Sequence, residues 1–356
     1  EGPSHRALAR RIARESIVLL QNRGGLLPLS ADRRIAVIGP NANDREMLWG
    51  NYNPIPEHTL TLQEAVAARV PETVAFPGCA LVSRESLSAQ EIAAILKQLE
   101  AIDVVVFAGG ISPRIEGEEM PVELPGFRGG DRTDIELPAV QRQLLASLHA
   151  AGKQVVLVDF SGCAMGLEPE TLSCDAIVQA WYPGEEGAEA VAEVLFGEVV
   201  PSGKLPVTFY RNIAQVPDFE DYAMKGRTYR YFDGDPLFPF GYGLSYTTFT
   251  YGQARVRKGV LEIPVTNSGT RTATEVVQLY VRRPADTEGP LKSLRGFRRV
   301  EIPAGATATV SFRLDGDTFL GWSPEAGDMV PVRGQWELLY GGSSADSALQ
   351  RLTYTY

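Results

Sequence analysis

Through the first two thirds of the chain, short runs of consecutive apolar residues alternate with stretches of helical period. Arg34-Ile-Ala-Val-Ile-Gly-Pro40 reads as a buried strand closing in a Gly-Pro turn, and 74–76, 104–108, 154–159 and 176–181 read as further strands. Between them, 62–70, 89–99, 138–148 and 187–196 carry helical spacing. Pro138 sits at a first-turn position, where its missing N–H costs nothing. Strands apolar on both faces and separated by helices predict a mostly parallel sheet covered on both sides. The opening residues, EGPSHRALARRIARES, predict a basic amphipathic helix running into the short apolar segment that ends at Leu20.

The pattern changes after Tyr210. Residues 212–240 mix proline, glycine, aspartate and tyrosine without sustained period, which predicts a structured linker. From Leu244 onward the signal is β only, with strands expected at 248–256, 260–267, 274–282, 291–300, 307–314 and 333–340. Short alternating strands punctuated by Asn267-Ser-Gly269, Pro303-Ala-Gly305 and Gly341-Gly342 predict a β-sandwich.

Composition narrows the function classes. The chain has 356 residues, enough for two cores, and a formal net charge of −10. That charge argues against a nucleic-acid or anionic-membrane partner, both of which need a basic surface. The sequence contains no transmembrane run. Cys79, Cys163 and Cys174 have no metal-ligand spacing and read as small buried residues, and three histidines form no zinc motif. No metal and no cofactor are expected.

The densest candidate chemistry lies in ISPRIEGEEMPVELPGFRGGDRTDIELP, the polar loop of 111–138 that leaves the strand at 104–108. Glu116, Glu118 and Glu119 stand where open α/β sheets bind ligands. Glycoside hydrolysis needs a protonated carboxyl group opposite a second carboxylate, and several glutamates in one loop can keep one of them protonated. The local residues do not choose among the three. Asp131 and Arg132 are expected to hold the loop through an ion pair or a backbone carbonyl, with Arg132 a scaffolding residue. Glycines, prolines and charges give 111–130 little apolar area, so the loop is expected to be mobile.

Two other motifs fall short. Gly109-Gly110 follows a strand, but Gly-x-Gly-x-x-Gly is absent and no helix opens at once. Ser161 follows a strand without a nucleophile-elbow sequence. Trp49, Tyr52 and Trp181-Tyr182 lie near strand ends, where packing is the commoner use of such rings and sugar stacking the alternative. Trp322 and Trp336 are expected in the sandwich core or on its surface.

A set of ordered motifs resembles glycoside hydrolase family 3, the β-glucosidase and β-xylosidase family, across essentially the whole chain. They are Ala13-Arg-Glu-Ser-Ile-Val-Leu-Leu-Gln-Asn22 with Leu27-Pro-Leu29, Ile35-Ala-Val-Ile-Gly-Pro40, Gly50-Asn-Tyr52, and Asp131-Arg-Thr133 with Leu137-Pro138 and Gln141. Trp181-Tyr-Pro-Gly184, Leu195-Phe-Gly197, Pro201-Ser-Gly-Lys-Leu-Pro206 and Phe238-Pro-Phe-Gly-Tyr-Gly-Leu-Ser-Tyr246 complete the set. The resemblance implies an α/β sandwich with a mostly parallel six-stranded sheet at 25–210, a linker at 211–244, and an all-β fibronectin type III-like sandwich at 245–356. Residues 1–24 would be the helix that follows an N-terminal (β/α)8 barrel, which this chain is expected to lack.

In such enzymes the barrel carries an aspartate nucleophile, and the α/β domain lends the acid/base. Matching Glu-x-Glu before Asp-Arg implies Glu116, with Glu118 as runner-up because Met120 to Gly130 is an insertion. The long loop and Tyr222-Ala-Met-Lys-Gly-Arg-Thr-Tyr-Arg230 look most like bacterial β-xylosidases. The expected function is therefore the C-terminal part of a retaining exo-acting β-D-xylosidase, with β-D-glucosidase next and a non-catalytic carbohydrate-binding fragment as the rival. Expected partners are β-linked xylo- or gluco-oligosaccharides and the barrel, as a domain or separate chain, with homo-oligomers an open possibility. The implied location is periplasmic or secreted. Alone, the chain is expected to be inactive.

Overall fold

The computed structural model describes residues 2–356, which divide into two compact units. One holds residues up to Gly203 with Phe209–Val216; the other holds Lys204–Thr208 with Pro217–Tyr356.

The first unit is built on a six-stranded sheet. In chain order its elements begin with α1 (Pro3–Ser16), β1 (Val18–Asn22), β2 (Ile35–Ile38), α2 (Glu46–Trp49), α3 (Leu62–Ala67), β3 (Val74–Phe76), α4 (Ala89–Gln98) and β4 (Val104–Gly110). Three short strands follow, β5 (Glu123–Leu124), β6 (Phe127–Arg128) and β7 (Asp131–Arg132), then α5 (Ala139–Ala150), β8 (Gln154–Phe160), α6 (Glu170–Ser173), β9 (Ala176–Gln179) and α7 (Gly187–Leu195). The sheet order is β1-β9-β8-β4-β2-β3, parallel except for β1 against β9. Every residue of β2, β4 and β9 is buried, so their apolar runs follow from helices on both faces. Five strands match the sequence expectation; the sixth is β1, where the apolar segment after α1 forms an antiparallel edge. Thr61 and Ser88 start α3 and α4 as capping boxes with Glu64 and Glu91.

Chain order creates the kind of crevice at which open α/β sheets bind ligands. From β2 the chain moves outward to β3 and then returns past β2 to β4, so the loops after β2 and β4 part at a topological switch point. Glycines make the close approach possible. A Cβ on Gly110 (φ +104°) would lie 2.1 Å from the Phe160 carbonyl oxygen, and one on Gly39 (φ +112°) 2.4 Å from that of Ala108.

The loop after β4 is better built than its composition suggests. β5, β6 and β7 form a three-stranded antiparallel meander, and Ile111, Ile115 and Phe127 are buried. Gly117 N–H donates to the Gly130 carbonyl (3.2 Å), closing a neck around residues 117–130. The few apolar side chains in this loop serve as anchors.

The second unit begins with Lys204–Thr208 and, within 217–244, contains α8 (Thr228–Tyr231). Residues that read as linker pack into it: Tyr229 stacks on Phe240 at 4.3 Å, and its hydroxyl accepts from Leu294 N–H. The strands are β10 (Phe249–Tyr251), β11 (Arg255–Arg257), β12 (Val260–Asn267), β13 (Ala273–Arg282), β14 (Ser293–Ile302), β15 (Thr307–Arg313), β16 (Leu320–Ser323), β17 (Asp328–Pro331), β18 (Gln335–Gly341) and β19 (Leu349–Thr355). One sheet runs β10-β12-β11 with β15 also on β12, the other β14-β13-β18-β19, and β16-β17 is a separate hairpin. Alternate residues of β12 (Leu261, Ile263, Val265) pack with Val277, Leu279 and Leu338 in the core of an all-β sandwich. Trp336 is in that core, whereas Trp322 is 57% exposed on the hairpin.

Candidate active site

Four loops at the carboxyl ends of β2, β4, β8 and β9 bring the candidate residues together. The strand end is fixed first. Gln141 on α5 donates Nε2 to the carbonyls of Gly110 and Leu81, both at 2.8 Å, and accepts from Gly110 N–H. Buried Asn41, just after β2, donates to the Gly109 and Ile111 carbonyls. The chain then turns through Ser112, whose carbonyl accepts from Ile115 and Glu116 N–H.

Glu116 leaves this turn partly exposed. Its Oε1 accepts from Cys163 Sγ at 3.0 Å and its Oε2 from the Tyr182 hydroxyl at 3.1 Å. Its backbone carbonyl accepts from Asn51 Nδ2 at 2.9 Å. Burial pushes the Cys163 thiol up to about 12 despite the Arg132 charge, and raises the Tyr182 phenol further above its ordinary range. Both groups therefore keep their protons at neutral pH and donate. Both carboxyl oxygens of Glu116 are held by neutral donors.

Arg132 stands one atom further back. Its Nη1 donates to Cys163 Sγ (2.9 Å) and the Ala164 carbonyl (3.2 Å), so the tether joins β7 to the loop after β8. The expected backbone-carbonyl contact is present, and the sulfur takes the place that a glutamate would have filled. Its Nε and Nη2 are buried without an acceptor. Asp131 is exposed opposite Arg128. Beneath lies Asp159, fully buried at the end of β8, where Ser161 Oγ donates to its Oδ2 (3.0 Å) and its Oδ1 has no partner. Burial pushes its carboxyl up to about 7, against the pull of the Ser161 hydrogen bond and Arg132.

The other acids stand apart. Glu118 is exposed and accepts from the Tyr52 hydroxyl at 2.6 Å, and Glu119 is exposed at positive φ. Trp181 is held by its indole N–H to the Ser16 carbonyl and an edge contact with Phe209; Trp49 donates to Thr59. The packing reading of these two indoles fits, whereas Tyr182 reaches the acid. Among the described residues no cluster of His, Cys, Asp or Glu is arranged to hold a metal ion.

Sequence reasoning treated Cys163 as a small buried residue and Tyr182 as a packing or stacking ring. They lie 47 and 66 residues from Glu116, so only the strand order brings them to it. The one available signal was position: each follows a buried strand whose carboxyl end faces the same crevice.

The chain as a whole is similar to known proteins. Residues 17–246 match the glycosyl hydrolase family 3 C-terminal domain, and 275–344 match a fibronectin type III-like domain. The chain is 39% identical to a xylan 1,4-β-xylosidase from Xylanibacter ruminicola, over 97% of this chain and 57% of that protein. It is 32% identical to a periplasmic β-glucosidase from Salmonella typhimurium, over 91% of this chain and 47% of that one. A β-glucosidase structure from Erythrobacter marinus superposes with a TM-score of 0.85 at 33% identity, covering 100% of this chain and 51% of its own. The chain spans about half the length of these relatives.

Proposed function

The chain belongs to glycosyl hydrolase family 3, and on that premise we propose that it is the acid/base half of a retaining exo-acting β-glycosidase. Glu116 is the acid/base. The observation that carries this is the carboxyl group of Glu116 at the switch-point crevice, each oxygen held by a neutral donor while the cation Arg132 is kept one sulfur away. A guanidinium bonded directly to the carboxylate would favour its ionised form and oppose proton donation.

In the catalytic cycle a barrel aspartate outside these 356 residues attacks the anomeric carbon while Glu116 protonates the departing oxygen. Glu116 then takes a proton from the water that releases the sugar. Retention requires the two carboxyl groups about 5 to 5.5 Å apart, so the barrel closes on the loop after β4. Tyr182, Cys163 and Asn51 position the acid. The substrate proposed is a β-D-xyloside, in line with the 39% identity to a xylosidase against 32% to a glucosidase.

The test uses the chain joined to its barrel. Glu116→Ala should lose about 10²- to 10⁴-fold on substrates with poor leaving groups and much less on activated aryl glycosides, since protonation matters only where the leaving group is basic. Glu118→Ala should keep the wild-type dependence. The reverse result would move the assignment to Glu118.

A further inference from the structure

A second cavity lies wholly within the fibronectin type III-like unit and is separate from the Glu116 crevice. It has a volume of about 300 Å³, and its wall includes Arg230, Arg282, Arg283 and Arg295 together with Trp322. Four arginines thus line one cavity on a chain whose net charge is −10. The acids in the same wall are Asp286 and Glu288.

The arginines are incompletely satisfied from within. Arg295 donates Nη2 to the Leu320 carbonyl, but its Nε and that of Arg230 are sealed from water without an acceptor. These two guanidinium groups thus have few internal acceptors, and an anion in the cavity would meet positive charge that the protein leaves largely uncompensated. The side chains also crowd one another: burial lowers the affinity of Arg295 for its proton, and the nearby Arg230 charge adds to the effect. Arg282 has an acid 3.9 Å away in Glu337, a long contact that leaves its fork available.

The geometry points to a binding site for a pyranose bearing a carboxylate, a hexuronate or a uronate at the end of an oligosaccharide. A planar carboxylate matches the guanidinium fork in bidentate fashion. The volume suits a single sugar ring, at the small end of ligand pockets. Trp322, 57% exposed, offers a face to the ring's C–H groups. Asp286 and Glu288 favour a single negative charge over the double charge of a phosphate.

Calorimetric titration of the 356-residue chain with sodium D-glucuronate tests this, with D-glucose and sodium sulfate at matched ionic strength as comparisons. Saturable binding of glucuronate is expected, at least about tenfold tighter than either comparison. Arg283→Gln and Trp322→Ala should each weaken it about tenfold. Neither residue is in the sandwich core, and Arg283→Gln serves alone if the tryptophan variant fails to fold. Absence of saturable heat overturns the site. Equal binding of glucose removes the role of the carboxylate, equal binding of sulfate that of the sugar ring, and unchanged affinity in Arg283→Gln the arginine cluster; each refutes the proposal.

Discussion

Asp159→Asn should make the stability of the α/β unit less sensitive to a rise in pH from about 4 to about 7. The Asp159 carboxyl is fully buried, and burial raises its pKa from the ordinary 3.8 to about 7. At about 1.4 kcal/mol for each tenfold in proton affinity, that rise corresponds to about 4 kcal/mol. Between pH 3.8 and about 7 the folded protein keeps a proton that the unfolded chain has released, so stability falls as pH rises through that window. The charges around it are Arg132, Glu170 and Glu116, the first favouring the carboxylate and the others opposing it.

Asparagine has nearly the same shape, accepts from Ser161 as the acid does, and cannot ionise. About 3 kcal/mol of the penalty falls between pH 5 and pH 8. Urea denaturation of both proteins across that range should show the variant gaining about that much on the wild type, with unchanged slope against denaturant. Parallel pH profiles, or a variant that loses ground at pH 8, would refute the reasoning.

Other consequences are more local. Cys163→Ala removes one donor to Glu116 and should lower kcat/KM of the whole enzyme about tenfold, with Cys163→Ser recovering most of it. Gly130→Ala places a Cβ 1.9 Å from the Gly117 carbonyl oxygen, opening the loop neck beside Glu116; kcat should fall about a hundredfold while near-ultraviolet circular dichroism stays native. Arg142→Ala strands the fully buried side chain of Glu170, which Arg142 holds at 2.8 Å, and should cost about 3–5 kcal/mol by denaturant titration.

The fold was most legible where burial is complete on both faces. β2, β4, β8 and β9 are nearly continuous apolar runs, and such runs have few other uses. β1 was harder to see because a basic helix runs directly into it. The hairpin β16-β17 and the last strand β19 escaped altogether: β19 reads LQRLTYT and buries no residue fully, so it lacks the strong alternation that marks a half-buried strand. Of the candidate site, Glu116 was legible as an acid beside a strand end, and the choice over Glu118 came from family resemblance. The partners that set its surroundings were not legible, because Cys163 and Tyr182 reach it only through the order of strands in the sheet.

The central claim is that Glu116 is the acid/base, and azide tests it most directly. In the enzyme carrying Glu116→Ala, an activated aryl β-xyloside should form the glycosyl-enzyme quickly and release it slowly, since no base remains to activate water. Azide needs no base. Its addition should restore turnover and yield the β-xylosyl azide, because two inversions at the anomeric carbon retain configuration. Absence of rescue in Glu116→Ala, with rescue and β-azide product in Glu118→Ala, would contradict the account.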